Sequence, residues 1–185
     1  MSDYGYPFDF RGLIQHEAGG HGFGKLGDEY IYHNAFIDNC TCSCCGHSAD
    51  IINAQAVGWY QNLSLTGNMD RVSWSHLIFH EKYNHIVDIY EGGYMHARGV
   101  YRSEQNSCMN NNVPYYSTIS REAMVKRIKA YAGETYSFAE FVANDVMDAG
   151  TITTRSDIGT SIPRVTMHRN PPVMMGKRPN LNLNN

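Results

Sequence analysis

Apolar positions along this chain recur mostly at helical rather than alternating spacing. Asp9 is placed to cap a helix opening at Phe10, with Leu13, Ile14 and Ala18 as its apolar positions. Gly19, Gly20, Gly22 and Gly24 crowd the end of that helix. Each costs about 1 kcal/mol against alanine in a helix interior, so their density needs a reason. Residues 31–72 read as loop-rich, with turn signals at Asp38-Asn39, Cys45-Gly46 and Gly67-Asn68. A short helix is predicted over Asp50–Val57 and another from near Ser73. Val87–Tyr90 and Gly99–Arg102 flank a glycine pair and read as short strands. Ser120 can cap a helix to about Ala132, with Met124, Ile128 and Tyr131 on one face and Gly133 as its stop. Ser137-Phe138-Ala139-Glu140 has capping-box spacing. It predicts a helix with Phe138, Phe141, Val142 and Val146 inward, ended by Gly150. The body is therefore α+β in class, helix-rich, with little sheet of its own.

Composition narrows the picture. A chain of 185 residues with 42% hydrophobic positions can bury one real core but not two ordinary ones. The net charge of −3 argues against a nucleic-acid partner. No apolar run approaches the roughly 20 residues of a transmembrane segment. Met1–Tyr6 has neither a basic n-region nor an apolar h-region, which predicts no signal peptide in this chain. Charge is unevenly placed. From Thr151 onward five basic residues face one acid, Asp157, giving +4 and leaving −7 on residues 1–150. Four of the six prolines also lie there. Residues 151–185 thus read as an extended basic tail appended to a body of residues 1–150.

The chemistry is concentrated in His16-Glu17-Ala18-Gly19-Gly20-His21, followed by a glycine-rich bend and Asp28-Glu29-Tyr30. Two histidines, a glutamate beside the first and a carboxylate pair after a bend form a zinc-peptidase pattern. Catalytic zinc takes three protein ligands from histidine and carboxylate and keeps one position for water. The ion lowers that water's pKa, and the glutamate moves its proton to the leaving amine.

The spacing is irregular. The usual motif places its histidines at i and i+4 on one helix face. Here the second lies at i+5, which on a regular α-helix sets the rings roughly 140° apart. A π-type bulge, at about five residues per local turn, returns them to one face. The prediction is a π-bulge between His16 and His21, with Gly19 or Gly20 as the extra residue.

The segment resembles the IgA-peptidase family of bacterial metzincin-like zinc peptidases, most of all members of the Bacteroides type, which carry the extra glycine. The match runs through His-Glu, Gly-His, a glycine bend and Leu26-Gly27-Asp28-Glu29-Tyr30. Asn106-Ser107-Cys108-Met109-Asn110 is similar to the methionine turn beneath a metzincin zinc, and Ser117–Ile128 to the helix after it. The resemblance covers about Tyr6 to Val146. It implies a zincin catalytic domain with His16 and His21 as zinc ligands, Glu17 as general base and Met109 as the floor under the metal. Standard metzincins place the third ligand six residues after the second histidine, where this chain has Gly27. Asp28 is the choice here and Glu29 the alternative, the other carboxylate supporting a ligand from behind. Tyr115 and Tyr116 follow the turn, where some metzincins place an oxyanion-steadying tyrosine; packing aromatics are the other reading. Metzincins build a sheet upstream of the zinc helix, whereas fifteen residues precede His16. The expectation is the C-terminal part of a catalytic unit, lacking most of that sheet.

Other features leave alternatives. Cys40, Cys42, Cys44 and Cys45, with His47 close by, suit disulfides, free thiols or a second metal. Arg98 or Arg102, around Gly92-Gly93, could meet substrate or hold a turn. His33, His76, His80, His85 and His168 have no ligand spacing and read as surface or hydrogen-bonded histidines. Two functions compete. One is a zinc-dependent endopeptidase acting on a protein or peptide by metal-activated water, placed by the resemblance outside the cell, in the periplasm or on the cell surface. The other is a non-catalytic zinc-containing relative or fragment that binds a protein or glycan.

Overall fold

The computed structural model describes residues 11–39 and 46–146, and within them the chain is α+β. Helix α1 (Arg11–Ile14) runs directly into a ten-residue π-helix over Gln15–Gly24. The other helices are α2 (Ser48–Ala56), α3 (Ser75–Ile78), α4 (Cys108–Asn111), α5 (Thr118–Ala132) and α6 (Phe138–Asn144). Four strands, β1 (Ile31–Phe36), β2 (Leu63–Ser64), β3 (Tyr90–Gly93) and β4 (Met95–Arg102), form one mixed sheet. The Asp9 cap, the cysteine run 40–45, Gly150, His168 and the basic tail lie outside the described residues.

Strand β4 organises the sheet. It pairs parallel with β1 and antiparallel with β2 and β3. Of the two predicted strands, Gly99–Arg102 falls within β4, whereas β3 begins only at Tyr90 and takes in the glycine pair, so residues 87–89 lie outside the sheet. Gly92 and Gly93 adopt φ of 111° and 157° there, a region that disfavours side chains. Arg102 closes the hairpin by donating from Nη1 to the Gly92 carbonyl at 2.7 Å. Arg102 is thus a buried turn-holding residue, while Arg98 lies exposed on β4. Strand β1 corrects the loop reading of residues 31–72. Ile31-Tyr32-His33-Asn34-Ala35-Phe36 lacks clean alternation, and its extended form is set by pairing Ile31, His33 and Phe36 with Met95, His96 and Arg98.

Two apolar clusters hold the body. Trp74, Leu77, Tyr83, Val87, Ile119 and Phe141 belong to the larger, and Ile37, Ile51, Leu63 and Val100 form the smaller beneath the sheet. Helix α2 matches its predicted span within two residues. Helix α5 ends at Gly133 as expected, in the left-handed region at φ 70°. Its beginning and its face differ from expectation. It opens at Thr118, whose N–H donates to the buried Glu104 carboxylate at 2.6 Å, so the negative charge at its first turn comes from a distant residue. Ile128 and Tyr131 are 52% and 75% exposed, and Ile119, Glu122 and Val125 turn inward instead. Glu122 can occupy that face because His76, Lys126 and Tyr136 all bond its carboxylate. In α6, Ser137 caps Glu140 N and Phe141 packs inward as expected, but the helix stops at Asn144 and Val146 is exposed.

Candidate metal centre

The π-helix supplies both histidines from one face, as the i+5 spacing requires. His16 Nε2 lies 2.9 Å and His21 Nε2 3.0 Å from the same oxygen, Asp28 Oδ1. Asp28 reaches them because the chain reverses at Lys25, in the left-handed region at φ 53°, whose N–H bonds back to the Gly20 carbonyl. The glycines make room for what lies beneath. A Cβ on Gly20 would collide with Met109 Sδ, and one on Gly19 with the Tyr116 hydroxyl. Met109 is fully buried there. Gly20→Ala is therefore expected to cost about 1–3 kcal/mol by overpacking. Adding Met109→Ala in the same chain should recover part of that loss, read as sub-additive urea unfolding energies.

The protonation pattern follows from the partners. His16 Nδ1–H donates to the Cys108 carbonyl at 2.9 Å and His21 Nδ1–H to the Leu26 carbonyl at 2.8 Å. A carbonyl can only accept, so each neutral ring carries its lone pair on Nε2, aimed at Asp28. Three acceptors facing one point repel unless a proton or cation sits between them. Burial raises the Asp28 pKa, but the hydrogen bonds with His16 and His21 outweigh it and hold the carboxyl at about 2. For His21, burial favours the neutral ring, yet Asp28 and nearby Glu17 raise its pKa overall.

This donor set fits zinc. Two neutral imidazoles and a carboxylate are a three-ligand zinc complement, and their ligand atoms lie within 4.8 Å of one another. Tetrahedral bonds of about 2.1 Å put ligand atoms roughly 3.4 Å apart, so the two histidine–Asp28 pairs, at 2.9 and 3.0 Å, would each open by about half an ångström. The side chains of His16 and Asp28 are 3% and 13% exposed and that of His21 30%, so the centre faces solvent on the His21 side. Glu17, next to His16 on the π-helix, is exposed, and its charge helps raise the His21 pKa.

Glu29 does something else. It is fully buried, accepting from Asn62 Nδ2 at 2.8 Å and from the Ser107 hydroxyl. Burial pushes its carboxyl up to about 7 despite those bonds. Asn62 also bonds both the N–H and the carbonyl of Gly27. Glu29 N donates to the Met109 carbonyl at 2.8 Å. Together they latch the bend carrying Asp28 onto the turn carrying Met109. Asn62 carries no signal in the sequence, and Ser107, although inside the segment that resembles the methionine turn, has no spacing that ties it to Glu29.

The remaining expectations resolve individually. Tyr115 is buried with its hydroxyl on Glu104, and Tyr116 donates to the Gln15 carbonyl, so both serve packing. His47 caps α2 in a capping box with Asp50. His76 bonds Glu122, and His80 packs on Phe138 and Tyr83. His33 packs beside His96, and His85 is exposed. No described helix is long and apolar enough to cross a membrane.

The fold and this cluster define an α+β chain with a histidine–histidine–carboxylate centre on a π-helix. No protein-family model and no curated protein matches the chain.

Proposed function

We propose that this chain is the catalytic region of a zinc-dependent endopeptidase of the metzincin-like, IgA-peptidase type, acting on a protein or peptide outside the cytoplasm. The convergence of His16 Nε2 and His21 Nε2 on Asp28 Oδ1, made geometrically available by the π-helix, carries this reading. His16, His21 and Asp28 hold the metal and Glu17 stands beside it as general base. Bound there, zinc supplies Lewis acidity, acidifying a neighbouring water and polarising the scissile carbonyl. Glu17 takes the proton of that water and delivers it to the departing amine. The Cys108 and Leu26 carbonyls keep both imidazoles in the ligating tautomer. Met109 supports the helix from below, through the gap left by Gly20.

Metal analysis of the purified chain, paired with cleavage assays on casein and IgA, tests the proposal. One zinc per chain together with zinc-dependent cleavage supports it. Zinc without cleavage of either protein favours the zinc-containing binding module. No zinc at saturating metal overturns both.

A further inference from the structure

The π-helix brings the two histidines together, and its own persistence needs a cause. Wide turns usually occur singly, whereas this one continues over ten residues, Gln15–Gly24. In a π ladder the Gln15 carbonyl takes the N–H of Gly20, five residues on. In an α ladder it would take that of Gly19. The two registers thus differ here in which of two adjacent glycines bonds Gln15. In the α register His16 and His21 point roughly 140° apart and cannot share an ion.

Tyr116 touches both partners of the α-type bond. Its hydroxyl donates to the Gln15 carbonyl, and its oxygen lies where a Cβ on Gly19 would collide with it. A carbonyl has two lone pairs, so Gln15 can hold the phenol and one helical N–H together. With the phenol lodged against Gly19, that N–H is the one of Gly20. The Tyr116 backbone is fixed as well. Arg121 Nη1 donates to the Tyr116 carbonyl, and Arg121 is itself held by Asp145, at 2.7 Å to Oδ1 and 2.8 Å to Oδ2. Two other side chains fill glycine gaps of this helix, Met109 at Gly20 and Met124 at Gly24. Both are apolar, so of the three only Tyr116 adds a hydrogen bond to the helix.

We propose that Tyr116 is a positioning residue for the metal centre, a wedge that holds the helix in the π register in which His16 and His21 meet. Its effect on zinc rests on the metal reading above; its effect on the register does not. Tyr116→Phe keeps the ring and deletes only the hydroxyl. One hydrogen bond moves an equilibrium several-fold, so zinc affinity should fall about three- to tenfold. The visible band of the cobalt-loaded chain should change too, because the imidazoles meet the ion at altered angles. Gly19→Ala puts a methyl group where the hydroxyl lies and should weaken zinc to a similar extent. The double variant should lose less than the two single losses combined, since without the hydroxyl the methyl group has less to displace. Tyr115→Phe is the control. It deletes the neighbouring hydroxyl, bonded to Glu104 at 2.7 Å, and should leave zinc affinity and the cobalt band unchanged.

Chelator-competition titration of these chains is paired with NMR of the metal-free protein. In wild type the coupling across the hydrogen bond should join Gly20 N to the Gln15 carbonyl carbon, and in Tyr116→Phe it should shift toward Gly19 N. A loss of zinc affinity of about threefold or more in Tyr116→Phe, absent from Tyr115→Phe, supports the wedge. A smaller loss overturns it and leaves the metal centre standing. A wild-type chain that binds no zinc overturns the centre, and the coupling then decides the wedge: a shift to Gly19 supports it, and an unchanged Gly20 coupling overturns it. Should Tyr116→Phe fail to melt cooperatively, Gly19→Ala decides by the same measures.

Discussion

Asp28→Ala is expected to abolish zinc-dependent stabilisation of this chain, whereas Glu29→Ala is expected to keep it. A ligand that binds only the folded state at a thousand times its dissociation constant stabilises by about 4 kcal/mol. For a chain of this size that is roughly 8–16 °C in melting temperature. Asp28 presents the oxygen on which both imidazoles converge, so its loss leaves two ligands and a centre that cannot close. Glu29 lies on the other face of the extended chain, with its oxygens bound to Asn62 and Ser107. Truncating it leaves those two groups unpaired in the interior, at a cost of about 1–3 kcal/mol with or without metal. Melting with and without excess zinc separates the two cases. Asp28→Ala should lose the zinc increment, and Glu29→Ala should melt lower while retaining it. The opposite pattern would transfer the third ligand to Glu29.

The contrast between these neighbouring carboxylates also marks where the sequence stops being readable. Local chemistry was legible. Two histidines at i+5 with glycines between them require a wider turn, and the chain makes one over Gln15–Gly24. The stop of α5 at Gly133 and the Ser137 cap of α6 follow equally from residues within a few positions. Sequence left Asp28 and Glu29 open because what sets them apart in the fold is Asn62 and Ser107, which bond the Glu29 carboxylate and lie 33 and 78 residues from it. No periodicity encodes such contacts. The inward face of α5 was misjudged for a related reason. Met124, Ile128 and Tyr131 have the right spacing, but a buried Glu122 with three partners occupies the core-facing stripe. A polar residue that satisfies itself through tertiary contacts is invisible to hydrophobic patterning. Strand β1 likewise owes its extended form to β4, more than sixty residues away at Ile31 and Met95.

Glu17→Gln should separate chemistry from metal binding more sharply than any change to a ligand. Glutamine keeps the shape and hydrogen-bonding reach of the side chain and removes its ability to take a proton. General acid–base groups contribute about 10²–10⁴-fold to rate, so kcat for peptide cleavage should fall by that factor. Zinc content and the zinc-dependent rise in melting temperature should match wild type, because Glu17 is exposed and outside the three-ligand set. KM should change little, since the lost interaction belongs to proton transfer rather than to substrate binding. Steady-state kinetics on a casein-derived peptide, with metal analysis of the same preparation, read both halves of the prediction. Cleavage within tenfold of wild type would remove Glu17 from the mechanism while leaving His16, His21 and Asp28 as the metal site. A parallel loss of zinc would instead make Glu17 part of what holds the metal. The burial pattern opposes that outcome: Glu17 is exposed, while His16 and His21 are held in place by the Cys108 and Leu26 carbonyls.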